Sequence, residues 1–284
     1  MYQPADCAVV CCSDGRHVSE KDKIDLTAQK LGEMGLHPVF SESVYAADGI
    51  PFAACAENRA AELMKFYKDD HIKHIFDISG GDIANELLPY LDFELIADSN
   101  KTFWGYSDLT TIINAIYTKT GKPSVLYQIK NLAGDCGEVQ YDRLSGYLNN
   151  DSNELFDVKF DILNGSSLSG IVVGGNIRCL LKLAGTPYFP DMTDKLLLLE
   201  ALGSTTAQTA TYLSQLKQMG VFNKISGIIL GTFTKMEQTA AFPTAEEQVL
   251  NITNQKLPVA KTYEIGHNSN SKAIIIGKKI NIML

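Results

Sequence analysis

The sequence is poor in the residues that hold metals or face nucleic acids. Its 284 residues include only five histidines and one tryptophan. None of the six cysteines (Cys7, Cys11, Cys12, Cys55, Cys136, Cys179) forms a Cys-x-x-Cys pair, and three sit in one apolar run. Buried reduced thiols are therefore expected rather than a zinc site or disulfide framework. His71 and His74 have ligand-like spacing but read as a surface turn leading into a strand, so no metal and no cofactor is expected. Basic residues are outnumbered, 25 Lys and Arg against 33 Asp and Glu, for a net charge of −8. With no basic run interleaved with aromatics, nucleic acid is excluded as a partner. Long apolar runs are missing too. Cys7 to Cys12 is far short of the ~20 residues of a spanning helix, and Met1 to Asp6 ahead of it carries no basic residue. No membrane segment or signal is expected, and the cytoplasm is the expected compartment.

What remains is an ordinary globular composition, 45% hydrophobic and 20% charged, in a chain long enough for one large domain or two modest ones. Short apolar runs alternate with amphipathic stretches through the first half. Cys7–Cys12, His37–Phe40, His74–Ile78, Thr102–Gly105 and Ser124–Tyr127 read as strands. Segments beginning at Ser19, Asn58, Ile83, Phe93 and Leu109 read as helices. This alternation predicts a parallel sheet covered on both faces, a Rossmann-like α/β domain over residues 1–130. Residues 131–165, rich in Asp, Asn, Ser and Gly, read as a connecting segment. Residues 166–284 read as a smaller mixed α/β, β-rich domain. Ligands of parallel sheets collect beyond the carboxyl ends of the strands, and Ser13, Gly80-Gly81 and Ser107 all fall at such ends.

The most informative stretch runs from Thr102 to Thr111. Its apolar strand ends in Gly105-Tyr106-Ser107-Asp108 and passes directly into the helical spacing of Leu109 to Tyr117. A strand turning sharply into a helix holds a serine at the bend beside free backbone N–H groups, which is the arrangement of a nucleophile elbow. Leu109 stands where the usual Gly-x-Ser-x-Gly signature has its second glycine. Serine chemistry needs an imidazole base and a carboxylate to orient it. His267 follows Gly266 and precedes the polar Asn268-Ser269-Asn270-Ser271. Glu200 ends the strand-like run Lys195–Glu200, where a carboxylate after four leucines is costly unless paired. Gly80-Gly81 serves either a tight turn or, with the Asp108 amide, a developing oxyanion. The order Ser, Glu, His matches a known triad order.

These residues fall in blocks that resemble the LD-carboxypeptidase and microcin-immunity family of serine peptidases along nearly the full length. The blocks are Asn58-Arg59-Ala60-Ala61-Glu62-Leu63, Ser79-Gly80-Gly81-Asp82 with Leu87 to Asp92, Gly105 to Thr110, Gly174-Gly175-Asn176, Gly185-Thr186-Pro187-Tyr188, Leu199-Glu200, Gly227 to Gly231 and Gly266-His267. The resemblance implies a Ser107–His267–Glu200 triad and a two-domain fold with the site between the domains. It also implies an oxyanion and substrate-binding region at Gly80, Gly81, Asp82 and Asp108, and a cytoplasmic, metal-independent homodimer. The implied substrate is a small peptide: a murein tetrapeptide losing its terminal D-alanine or, in the immunity branch, a peptidyl or aminoacyl nucleotide. A non-catalytic binding protein on the same scaffold is the alternative from another class. The family's Arg-Gly-Gly-Tyr-Gly loop is replaced by Ser79-Gly80-Gly81-Asp82-Ile83. Ala201 stands where many members have an acid, and the segment after His267 lacks the usual Thr-x-Pro type. These departures bear on the substrate rather than on the chemistry.

Overall fold

The computed structural model describes residues 6–283; the N-terminal stretch Met1–Ala5 lies outside the described residues. Five strands run parallel to one another in the first sheet: β1 (Cys7–Val10), β2 (Pro38–Phe40), β3 (His74–Asp77), β4 (Thr102–Gly105) and β5 (Ser124–Leu126). Between and after them lie α1 (Lys21–Glu33), α2 (Ala56–Lys68), α3 (Phe93–Asp98), α4 (Thr110–Thr120) and α5 (Gly137–Leu148). The second half contributes β6 (Asp161–Asn164), β7 (Ser167–Asn176), β8 (Lys195–Ala201), β9 (Gly227–Phe233), β10 (Val259–Lys261), β11 (Ile274–Ile276) and β12 (Lys279–Met283). Its helices are α6 (Ile177–Leu181), α7 (Thr206–Gln218), α8 (Thr234–Gln238) and α9 (Ala245–Ile252).

The first sheet has the order β11-β5-β4-β3-β1-β2 and the second β12-β7-β8-β9-β10-β6, so each has six strands. In the second, β7 to β10 are parallel, with antiparallel β12 and β6 at the edges. The α/β architecture expected from the alternating runs is therefore present twice. β4 and β8 are central, and every residue after the first in each is buried, as strands covered on both faces require. The two halves are interwoven more than the sequence pattern indicates. β11 pairs antiparallel with β5 as the last strand of the first sheet. The stretch that reads as a connector folds as α5, docked through Leu144 with Tyr141, Tyr147 and Leu148. Those apolar positions are diluted by Gly, Ser, Asp and Gln, which is why composition suggested a linker.

A polar latch joins the halves. Asn114 of α4 donates to the Gly174 carbonyl at 2.9 Å and accepts the Gly174 amide at 2.8 Å. Thr110 Oγ1 accepts the Asn176 amide at 3.0 Å. A Cβ on Gly175 would fall 2.7 Å from Thr110 Oγ1, so only glycine lets β7 come this close. Asn114, Thr110 and the strand end are all buried, so each polar group depends on the other for its partner.

Cys7, Cys11, Cys12 and Cys179 are buried, whereas Cys55 is exposed and Cys136 half-buried, which corrects the expectation of uniformly buried thiols. Burial pushes the Cys7 thiol up to about 12 and those of Cys11, Cys12 and Cys179 further still. Ellman titration of the native protein should show Cys55 reacting fast, Cys136 more slowly, and the other four only on unfolding. Rapid reaction of more than two thiols would contradict this packing.

His74 opens β3 and stacks on Phe76, while the Trp104 indole donates to its Nδ1 at 3.3 Å. Burial, only partly opposed by Asp6, holds this imidazole below its usual value. The unfolded chain therefore takes up this proton at a higher pH than the folded one, and the fold loses stability as pH falls through the ordinary histidine range near 6.5. His74→Gln keeps an acceptor for Trp104 and removes the titration. Its stability deficit in urea should shrink between pH 8 and pH 5.5; a constant deficit would refute the assignment.

Candidate active site

Three chain segments deliver the central side chains. β4 ends at Gly105, where a Cβ would fall 2.7 Å from Leu109, so the chain can double back tightly into α4. Ser107 sits at this bend with φ of 57°, a left-handed conformation that a serine adopts only when its surroundings hold it there. That is the strained bend of an elbow, and it forms without the second glycine of the usual signature.

Glu200 is carried by β8 and is completely buried. Register places Leu199 opposite Leu230 but Ala201 opposite Phe233, so Glu200 faces a bulge formed by Gly231 and Thr232. A side chain on Gly231 would crowd Glu200 Cβ at 3.0 Å and the Ile265 carbonyl at 2.6 Å. The buried Lys261 ammonium holds the Gly231 carbonyl at 3.0 Å, balanced by Glu237 and Glu246. His267 does not follow a strand end directly as the sequence suggests; β10 stops at Lys261, and the histidine lies in the loop beyond. This loop is rigidly tied. Ser271 Oγ lies 2.7 Å from the carbonyl oxygens of both Gly266 and Asn268, and its single proton is shared between them. Gln140 of α5 donates to those of Ser269 and Ser271 at 2.8 and 2.9 Å.

The three residues converge. His267 Nε2 is 3.1 Å from Ser107 Oγ and His267 Nδ1 is 2.8 Å from Glu200 Oε2. With the Nδ1 proton directed at the carboxylate, Nε2 is left to accept from the serine hydroxyl. Tyr106 completes the pairing, its hydroxyl donating to Glu200 Oε2 at 3.2 Å and its ring packing edge-on against the imidazole with centroids 4.8 Å apart. Burial, and after it the Glu200 charge, raises the Tyr106 phenol well above its usual value, so it stays a donor.

Gly80 pairs with Asp14 in an isolated bridge, and a Cβ on Gly81 would overlap the Asp14 carboxylate. Asp14 Oδ1 accepts the Asp82 amide at 2.8 Å, so that N–H is committed within the protein. The Asp82 carboxylate instead pairs with Arg178 and Lys182 of the α6 region. Asp108 is fully buried; its Oδ2 accepts Ser13 Oγ at 2.7 Å and the Ala84 amide at 2.8 Å, and its Oδ1 meets Lys182. Sequence reasoning missed Tyr106, Arg178 and Lys182. The i, i+4 spacing of the two cations on one short helix was the available signal for the last two.

Sequence profiles of the LD-carboxypeptidase N-terminal and C-terminal domains match residues 7–127 and 169–282. The chain belongs to the LD-carboxypeptidase family. It is 29% identical over 272 residues to a probable murein peptide carboxypeptidase of Bacillus subtilis, covering 90% of this chain and 83% of that protein. It is 25% identical over 259 residues to the microcin C7 self-immunity protein MccF of Escherichia coli, covering 80% and 75%. Its fold superposes on MccF in complex with aspartyl sulfamoyl adenosine with a TM-score of 0.86 at 21% identity, over 100% of this chain and 94% of that one. In this family member, among the described residues, no three His, Cys, Asp or Glu side chains are grouped to hold a metal ion, and no helix is long and apolar enough to cross a membrane.

Tyr106→Phe should keep the ring packing and lose the bond to a buried carboxylate, of the kind that contributes ~1.5–3 kcal/mol. Any hydrolysis at this site should then fall in kcat by about tenfold or more with KM nearly unchanged. An unaltered kcat would remove Tyr106 from the orientation of Glu200.

Proposed function

We propose that this protein is a serine hydrolase that releases the terminal D-amino acid of a murein peptide, with Ser107 as nucleophile, His267 as base and then acid, and Glu200 as the orienting carboxylate. The observation that carries the reading is the unbroken chain from Ser107 Oγ through His267 to Glu200, at 3.1 and 2.8 Å. Family membership and the name of the Bacillus subtilis relative support the substrate class. His267 Nε2 takes the hydroxyl proton as Ser107 attacks the carbonyl carbon of the scissile amide. The oxyanion of the tetrahedral intermediate is received by backbone amides of the Gly81 and Asp108 region. Imidazolium returns the proton to the leaving amine, leaving an acyl-enzyme, and water activated by the same imidazole releases it. Buried Glu200, its charge balanced by the imidazolium only once the proton has moved, favours the charged intermediate over the resting state.

A second reading, hydrolysis of an aminoacyl nucleotide, is favoured by Ser79 standing where the family loop has arginine and by the likeness to MccF. Incubation of the purified protein with murein tetrapeptide and, separately, with an aminoacyl-sulfamoyl adenosine decides between them. D-alanine release by the wild type, reduced about 10⁴-fold or more in Ser107→Ala, is the expected result. Cleavage of the adenylate alone would transfer the protein to the second reading, and turnover of neither would overturn both.

A further inference from the structure

Beyond the carboxyl ends of β3 and β5 lies a cavity of about 220 Å³ whose walls include Arg16, Glu20, Lys23, Ile78, Lys130 and Asn131. Its place is fixed by topology. Ile78 follows β3, Lys130 and Asn131 follow β5, and these strands flank β4, which delivers Ser107. Asn131 Nδ2 also donates to the Asn268 carbonyl at 3.2 Å, one residue beyond His267. One wall of the cavity is therefore the seat of the histidine loop.

The charges in this cavity are arranged at a cost. Three cations face one carboxylate in a chain whose net charge is −8. Arg16 pairs with Glu20, and among the described residues neither Lys23 nor Lys130 has an ion-pair partner. Lys23 stands in the first turn of α1, where the helix dipole disfavours a cation. An anion placed among them would offset the excess of positive charge and give both lysines a partner. The volume is below the ~300–1,000 Å³ of pockets that enclose a whole ligand, and suits one charged group of a larger molecule.

We propose that this cavity is an oxyanion subsite, which takes a carboxylate or phosphate borne by the substrate while its scissile carbonyl lies at Ser107. The proposal rests on Ser107 being the nucleophile. A murein peptide would supply a carboxylate other than the terminal one, and an aminoacyl nucleotide its phosphate. Lys23 and Lys130 act as point charges, tolerant of either geometry.

Calorimetry on full-length Ser107→Ala tests this with three probes: murein tetrapeptide, the same peptide with its non-terminal carboxyls amidated, and inorganic phosphate. Adding Lys23→Gln and Lys130→Gln should weaken binding of the charged peptide about tenfold, two exposed charge contacts being lost. The amidated peptide should bind the two proteins equally. Unchanged affinity for the charged peptide would overturn the subsite while leaving Ser107 chemistry untouched. If the parent binds neither peptide, the murein reading fails separately. Phosphate binding that needs the two lysines would then still support an oxyanion site, and its absence would overturn it.

Discussion

A carboxylate with no exposure to water governs this architecture. Glu200 sits at the end of an apolar strand, and an uncompensated charge there would cost several kcal/mol. Its Oε2 is met by His267 and by the Tyr106 hydroxyl, while Oε1 has no partner among the described residues. These two donors come from different sheets: Tyr106 from the bend after β4 of the first, His267 from the loop after β10 of the second. The carboxylate can be buried only if the two halves are packed in this one relation. The latch of Asn114 on Gly174 and of Thr110 on Asn176 does that packing at the start of the helix Ser107 leads into.

The same logic runs through the opposite side of the elbow. Asp108 is as buried as Glu200, but its oxygens are all used, by Ser13, Ala84 and Lys182. Lys182 belongs to the segment that begins at Asn176, whose amide Thr110 holds and whose side chain caps α6 at the Cys179 amide, 3.3 Å away. One short helix from the second half thus fixes both the residue after the nucleophile and, through Arg178 and Lys182, the Gly81–Asp82 turn facing it. The strained φ of Ser107 is held from both sides by contacts that cross between the halves, so the strain and the domain packing are one feature.

Local patterns made the elements legible and left their partnerships hidden. Cys7–Val10 and Leu196–Leu199 announce buried strands because burial on both faces demands unbroken apolar runs. The Gly105–Leu109 bend announces itself because a strand and a helix cannot be joined so closely in many ways. Glu200 was visible as an acid out of place. Tyr106 was not, since a tyrosine before a turn carries no mark of the carboxylate 94 residues away that it serves. Pairing of β11 with β5 was equally invisible: three isoleucines fit any buried edge, and only the tertiary fold selects the first sheet. α5 was missed because its apolar residues are spaced among turn-forming ones, and composition outweighed period in reading it.

That missed helix explains how the histidine is held without a strand beneath it. A loop that carries a base must resist the pull of Ser107 and Glu200 on either ring nitrogen, and its backbone bonds to β9 end with the Ile265 carbonyl accepting the Thr232 amide, before the histidine. Gln140 supplies the substitute, donating to two carbonyls of the loop while its own oxygen accepts the Tyr127 hydroxyl at 3.0 Å. Arg143, one turn on, reaches the carbonyl and side chain of Asn270 and is anchored by Glu154. The polar residues Asn268 to Ser271 are therefore the complement of α5, placed so that the first half grips the loop whose histidine serves its serine. The rigidity of the base is set by a helix that never touches the reacting atoms.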